Sequence, residues 1–227
     1  MKQFKYVEQL SIVLTFCAGF CDASTFFSGE GIFSSHVTSN FIVFVFDILT
    51  HANGKAWLKL VTLPVFVIAS FTAERIFSKY KNANLLLLLQ SLLLLFAGVL
   101  YITFKLTHIT ALWGIYFSTF IIVFAMSLQS AYGRLFSASA YGPTTAMTGN
   151  VTQLAIDIEK VVTINGAINR RNLKKQLTLI SGFFVGAGVG GIVSKEIGLA
   201  GVVIPAVIIL YTYIELHTNA RKSYSLR

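Results

Sequence analysis

The stretch "SSHVTSNFIVFVFDI" (34–48) returns later in the chain as "TTAMTGNVTQLAIDI" (144–158). Each copy opens with hydroxyl-bearing residues, becomes more apolar and carries an aspartate near its end. Four residues recur with the same identity 110 positions later: Thr38 as Thr148, Asn40 as Asn150, Asp47 as Asp157 and Ile48 as Ile158. This pattern predicts an internal repeat of about 110 residues, with pseudo-repeats at about 9–105 and 108–217.

The composition indicates that the chain lies in lipid. It has 227 residues, of which 55% are hydrophobic and 12% charged, whereas a soluble domain carries roughly 25% charged residues. The net charge of +9 would suggest nucleic acid as a partner of a soluble protein. Here most Lys and Arg lie between or beside apolar runs, which is typical of membrane topology and of contact with anionic head groups. We expect membrane lipids, and no nucleic acid, as partners.

Six stretches approach the length of about 20 apolar residues that a membrane helix needs. They are 10–27, 56–73, 85–104, 110–128, 177–193 and 197–214. The first begins like a signal peptide, with basic residues before an apolar run. It lacks a clear small-residue cleavage site, so we interpret it as a retained span.

The two repeated segments are shorter than these spans. Residues 37–49 and 147–158 make about 18–20 Å of helix each, too little for a hydrocarbon core of about 30 Å. Each follows a run rich in Ser, Gly or Thr, and Pro143 bars a helix from continuing into the second. The predicted fold is therefore an all-α polytopic transmembrane bundle with six long spans and two short broken or re-entrant helices. It forms one integral membrane domain over residues 1–227.

The distribution of Lys and Arg predicts that both termini are cytoplasmic. With six spans, only four of the 18 basic residues lie on the other side, namely Lys55, Lys59, Lys105 and Lys195. An eight-span arrangement, in which both short segments cross, gives a similar count, so both arrangements stay open. Six spans make the repeat inverted and eight make it parallel. The shortness of both elements favours the inverted form.

The start of each short helix is the candidate binding site. A half-helix leaves N–H groups unsatisfied at its start and carries partial positive charge there, which attracts an anion. Thr38 and Thr148 are placed to line these starts, and Asn40 and Asn150 offer donors and acceptors. Four residues are candidate helix caps: Ser34, Ser35, Thr144 and Thr145. Alternatively, these polar residues only cap helices and hold them together, and Asp47 and Asp157 only mark where each helix reaches water.

Three ionisable groups complete the candidate site. Asp22 lies inside the first span, where a charge costs about 2.5–3.5 kcal/mol on insertion scales, so it faces protein or water. Arg134 occupies a similar place after the fourth span and is its candidate partner. His36 precedes the first short helix and titrates near neutral pH, although a histidine in a loop is commonly only a polar loop residue. Gln129, five residues before Arg134, is a further candidate for binding the substrate.

The remaining motifs favour packing roles and do not indicate a binding or catalytic site. Cys17 and Cys21 are interpreted as small core residues, since a metal site with Asp22 and His36 has no supporting ligand spacing. Glycines 182, 186 and 190 recur every four residues, which favours close helix packing over a phosphate loop. We find no catalytic group set and expect no enzyme, no metal and no cofactor.

The segments "TTAMTGN" (144–150) and "LQSA" (128–131), together with "GFCDASTFFSGEGIFSSHVTSN" (19–40), resemble the signature of the YoaK-like family of bacterial integral membrane proteins. This family is built around a domain of unknown function, and the resemblance covers most of the chain. It implies an inner-membrane location and supplies no substrate. Two departures stand out: Ser39 replaces an expected Gly, and Ser130 replaces an expected Asn.

These features favour a small-solute permease with its site between the two halves. An anionic or zwitterionic solute fits the helix starts, and Asp22 or His36 are candidates for coupling transport to protons. The alternatives are a non-transporting scaffold or lipid-binding protein and, with least support, an intramembrane enzyme. The oligomeric state is open.

Overall fold

The computed structural model of the chain describes residues 2–51, 54–107, 111–135, 144–164 and 167–224. The described residues form helices and no strand. In chain order the α-helices are α1 (Lys2–Ser28), α2 (Ser39–Thr50), α3 (Leu58–Tyr80), α4 (Asn84–Thr107), α5 (Ala111–Leu135), α6 (Met147–Ile164), α7 (Ala167–Ile197) and α8 (Val203–Tyr224). A 3-10 helix at Gly198–Val202 joins α7 to α8. Pro143, the predicted helix breaker, lies outside the described residues.

Within these ranges, five helical stretches are long and apolar enough to cross a membrane. They are Glu8–Ser28, Leu58–Tyr80, Asn84–Thr107, Leu112–Leu135 and Arg170–Thr218. Large apolar side chains are exposed on their outside, among them Phe184 at 77% and Phe71 at 67%, an arrangement that suits lipid and not water. Several apolar helices therefore indicate a multi-pass membrane protein. The predicted six spans are not confirmed by this count, because α7, the 3-10 helix and α8 form one helical stretch of 49 residues.

Helix α1 lies at the centre of the bundle. Cys17, Ala18 and Cys21 are fully buried in its core, together with residues of α4, α5 and α8. The two cysteines are free, and Cys17 Sγ lies 3.9 Å from the carbonyl oxygen of Pro205 on α8. Among the described residues no group of three or more His, Cys, Asp or Glu could hold a metal ion.

Helices α1 and α7 run parallel and pack closely. Gly182 lies against Thr15, Gly186 against Phe16 and Gly190 against Phe20, and a Cβ at Gly186 or Gly190 would clash with the α1 backbone. The glycine face predicted from the sequence is thus the face that approaches α1. Close backbone contact of this kind is how membrane helices gain packing energy without a hydrophobic driving force.

The remaining contacts fix the helix directions. Helix α4 runs antiparallel to α5, since Gly114 lies against Phe104 while Gln90 bonds Gln129. Helix α3 runs parallel to α5, because their beginnings share one core cluster and their ends line one cavity. Helix α8 runs antiparallel to α1, so the start of α1 and the end of α8 lie at the same end of the bundle. Helix α1 packs on α7, and α5 packs on α3.

The two short helices form as separate elements. Helix α2 packs on α3 and ends at His51, which adopts the left-handed conformation and donates its N–H to carbonyls of α2. Helix α6 packs on α7 and is longer than predicted, with 18 residues ending at Ile164. The prediction stopped at the polar residues from Glu159 onward, yet these residues continue the helix.

Candidate functional site

The loop between α1 and α2 folds back onto the last third of α1. Asp22, on α1, is 3% exposed and accepts hydrogen bonds from the hydroxyl of Ser34 at 3.1 Å and the backbone N–H of Ser35 at 2.5 Å. His36 Nδ1 lies 2.5 Å from the other carboxylate oxygen of Asp22. An ionised carboxylate only accepts, so the imidazole donates at this nitrogen. One buried carboxylate thus holds three consecutive loop residues.

The element before α6 is held on α5 in a comparable way. Gln129 donates from Nε2 to the hydroxyl of Thr144 at 3.1 Å and to the carbonyl of Leu14 at 2.8 Å. Ser130 Oγ lies 3.0 Å from Thr145 Oγ1. Gln90 Nε2 donates to Gln129 Oε1 at 2.8 Å, which fixes the amide from the side of α4.

These partners differ from the predicted ones. Ser34, Ser35, Thr144 and Thr145 were expected to cap the short helices, but they bond Asp22, Gln129 and Ser130 instead. The structure does not pair Asp22 with Arg134, since the loop brings His36 to the carboxylate. Thr38 makes no side-chain cap bond.

The start of α2 also departs from the expected free N–H groups. The N–H groups of Ser39, Asn40 and Phe41 donate to the carbonyls of His36, Val37 and Thr38 at 2.9–3.2 Å. The preceding turn therefore satisfies the first donors of the helix. Charged side chains would therefore contribute more to the attraction of an anion at this place than exposed backbone N–H groups.

The starts of α2 and α6 line one cavity of about 580 Å³. Thr38 and His36 contribute from the α2 side, and Thr145 and Ala146 from the α6 side. The cavity extends along α3 and α5 to Glu74 and Arg134 near the ends of those helices. It therefore reaches towards the end of the bundle where α1 begins and α8 ends.

His36 sits at the boundary between this cavity and the buried Asp22. It lies between α1 and α2, and its side chain is 27% exposed. The hydrogen bond with Asp22 raises the pKa of His36, and the burial of the imidazole acts in the opposite direction. The imidazole therefore holds its proton to a higher pH than a free histidine.

Asn40 lies behind the cavity and has a structural role. Its Oδ1 accepts the N–H of Phe33 at 2.8 Å, and its Nδ2 donates to the carbonyl of Phe33 at 2.9 Å and to Thr62 Oγ1 at 3.1 Å. The side chain is fully buried. This amide braces the loop before α2 and ties it to α3.

Asn150 lines a different hollow, between α6 and α7. This hollow has a volume of about 430 Å³ and also contains Gln153, Asp157, Lys175 and Gln176. Asp157 is 2% exposed and accepts a hydrogen bond from Gln153 at 2.9 Å. Thr148 is exposed on α6 and lines neither space. The predicted pair Asn40 and Asn150 thus does not meet in one site.

The comparison with family models covers nearly the whole chain. Residues 10–214 match the model of DUF1275, described as a protein of unknown function. The chain belongs to the DUF1275 family. The resemblance to YoaK-like proteins is consistent with this assignment. No curated protein and no solved structure matches the DUF1275 chain.

One buried ion pair of this DUF1275 protein was missed from the sequence. Lys59 Nζ on α3 donates to Asp47 Oδ2 on α2, and both residues are buried. Asp47 therefore does not mark where α2 reaches water. Neither does Asp157, which is also buried.

A sequence signal for the lysine exists. The pattern Lys59-x-x-Thr62-Leu63 returns as Lys175-x-x-Thr178-Leu179. Lys175 lines the hollow between α6 and α7 together with Asp157. Glu74 and Gln90 were also missed. They carry no comparable repeat signal, and only the packing of α3 and α4 on α5 reveals them.

Proposed function

We propose that the protein is a small-solute permease whose substrate binds in the cavity between the starts of α2 and α6. The observation that carries the proposal is that both broken elements contribute to one space of about 580 Å³, a size typical of small-molecule sites. Broken helices that meet in the bundle are a recurring plan for transporter sites.

The charges around the cavity favour a zwitterionic or anionic solute. Arg134 and His36 supply positive groups, and Glu74 supplies a negative one. An arginine presents a planar fork of donors that matches a carboxylate or phosphate. The carboxylate of Glu74, which accepts a hydrogen bond from Ser78, is suited to an ammonium group.

A six-span, inverted arrangement underlies this proposal. A straight helix of 49 residues would be about 74 Å long, more than twice the hydrocarbon core, and α8 runs back along α1. We therefore assign two crossings to Arg170–Thr218. The loop before α2 then enters from one side of the membrane and the element before α6 from the other. The basic residues favour cytoplasmic termini, in the inner membrane.

Proton coupling through Asp22 and His36 is part of the proposal. The pair joins the cavity wall to the last third of α1, so a change in the charge of His36 alters both the cavity and the loop attachment. This gives protonation a direct route to the element that we propose to gate the site.

Transport fits the cluster better than catalysis does. Ser34 and His36 both bond the carboxylate of Asp22, and among the described residues no hydroxyl is hydrogen-bonded to the imidazole. A nucleophile activated by histidine needs that bond. We propose that the protein is not an enzyme.

A scaffold or lipid-binding role is the second candidate. Asn40 and Gln129 are fully buried, and their amide groups form hydrogen bonds between elements. Polar residues that hold membrane helices together form bonds of the same kind. Under this alternative the cavity has no solute, and the polar repeats serve assembly alone.

Uptake into reconstituted vesicles tests the proposal. We expect the wild type to accumulate at least one solute from a pool of zwitterionic and anionic metabolites, and Ala146→Phe, which fills the cavity, to abolish that uptake. Ala155→Phe is the matched control, because Ala155 is exposed on α6, the helix that Ala146 precedes, and does not line the cavity. Equal uptake by all three proteins, or no uptake by the wild type, argues for the scaffold.

A further inference from the structure

A second concave surface lies on the outside of the bundle, away from the cavity. The described parts of α7 and α8 do not pack on each other, and α1 forms the floor of the groove between them. The groove has a volume of about 660 Å³. Ile12, Val13 and Phe16 contribute from α1, Val185 from α7 and Ile208 from α8.

The length of the groove corresponds to one leaflet of a bilayer. On α7 it extends from Lys174 to Val185, and these 11 steps of helix span about 16 Å. The hydrocarbon core is about 30 Å thick, so the groove covers roughly half of it. Thr178 and Ser181 have small side chains and Gly182 has none, which leaves room for an aliphatic chain along this part of α7.

The charge at one end of the groove completes the pattern. Lys174 lines the groove, and Arg170 and Arg171 are exposed within one helical turn before it. A carboxylate, Glu215, lines the adjoining hollow on the α8 side, so the basic side chain among the residues that line these two hollows, Lys174, lies on α7. Basic side chains at membrane-helix ends attract anionic head groups.

We propose that this groove binds an anionic phospholipid. One acyl chain lies over Ile12 and Phe16 towards Val185, and the phosphate of the head group lies at Lys174. The amphipathic lysine suits this place, because its stem packs along the apolar wall while its ammonium group reaches the head-group level. The proposal is independent of whether the protein transports a solute.

Native mass spectrometry of the purified, delipidated protein tests the proposal. The probes are phosphatidylglycerol and phosphatidylcholine with the same acyl chains. We expect one phosphatidylglycerol to be retained in preference to phosphatidylcholine. Lys174→Gln is expected to weaken phosphatidylglycerol binding about five-fold, with phosphatidylcholine unaffected. Lys195→Gln is the matched control, because Lys195 is an exposed lysine at the other end of the same helix.

A second variant tests the apolar part of the site. Ser181→Leu fills the groove from an exposed position and is expected to weaken the binding of both lipids. The proposal is overturned if Lys174→Gln binds phosphatidylglycerol as well as the wild type does. It is also overturned if the wild type binds phosphatidylglycerol and phosphatidylcholine with equal affinity. A wild-type dimer that Ser181→Leu dissociates also overturns it, because the groove is then an interface between copies. Thermal unfolding checks that each variant folds, and the two lysine variants decide the question should Ser181→Leu not fold.

Discussion

At the scale of single residues, Asp22 is the centre of the candidate site. Its carboxylate forms hydrogen bonds with Ser34, Ser35 and His36, so one side chain sets the path of the loop before α2. Removing its charge while keeping its shape separates the electrostatic role from packing. Asp22→Asn is the substitution that does so.

We expect Asp22→Asn to shift the pH dependence of uptake. In the wild type the hydrogen bond with Asp22 raises the pKa of His36, so the imidazolium persists to higher pH. Without the carboxylate, the pKa of His36 falls. The alkaline limb of the uptake profile therefore moves to lower pH. Arg134 and Glu74, which line the same cavity, remain in place. An unshifted profile in vesicles contradicts proton coupling through this pair.

The pair of Asp47 and Lys59 gives a prediction about stability. Both groups are buried, so Lys59→Met leaves an uncompensated carboxylate between α2 and α3. Breaking a buried pair from one side costs about 3–5 kcal/mol, whereas replacing both partners by apolar residues is often neutral. Thermal unfolding in detergent should therefore show a large loss of stability for Lys59→Met. Adding Asp47→Leu should restore most of that stability. A double variant as unstable as the single one counts against the ion pair.

At the scale of helices, the contact of α1 with α7 depends on glycines that the sequence spacing identifies. Spacing by four places glycines 182, 186 and 190 on one helix face, and the structure turns that face to α1. Gly188 lies on the same helix with no atom near its absent Cβ. The two positions provide a matched comparison.

Gly186→Ala is expected to destabilise the protein by about 1–3 kcal/mol, because the added methyl group meets the backbone of Phe16 and forces the helices apart. Gly188→Ala should change stability by at most about 0.5 kcal/mol. Denaturant unfolding of both variants in the same detergent checks the difference. Equal losses contradict the close approach of α1 and α7.

The helices were predictable from the sequence to different degrees. Apolar length located the long helices and repetition located α2 and α6, since both signals can be found in the sequence without knowledge of the packing. The end of α6 was missed because a polar helix at a membrane surface has no apolar signature. The bonds of Asp22 with His36 and of Gln129 with the carbonyl of Leu14 join residues 14 and 115 positions apart. Such contacts depend on how the loops fold back, which spacing does not encode.

At the scale of the whole molecule, the packing of α1 on α7 and of α3 on α5 connects the fold to the proposed transport. Helix α1 contacts α7 closely through glycines, whereas the ends of α3 and α5 line the cavity. In an inverted repeat these two contacts are counterparts, and a transporter exchanges them as it opens to either side. Under the proposed inverted-repeat transport, we expect this structure to be the state that is open towards the side of the termini.

Thiol accessibility tests the central claim that both broken helices begin at one water-filled cavity. Thr38→Cys and Ala146→Cys are introduced separately, and a membrane-impermeant thiol reagent is applied to vesicles from each side. Cys17 and Cys21 are buried and serve as unreactive internal controls. We expect both new cysteines to react from the side that carries the termini, and Ala146→Phe to slow the reaction of Thr38→Cys. Cysteines that react from opposite sides, or not at all, contradict a shared cavity.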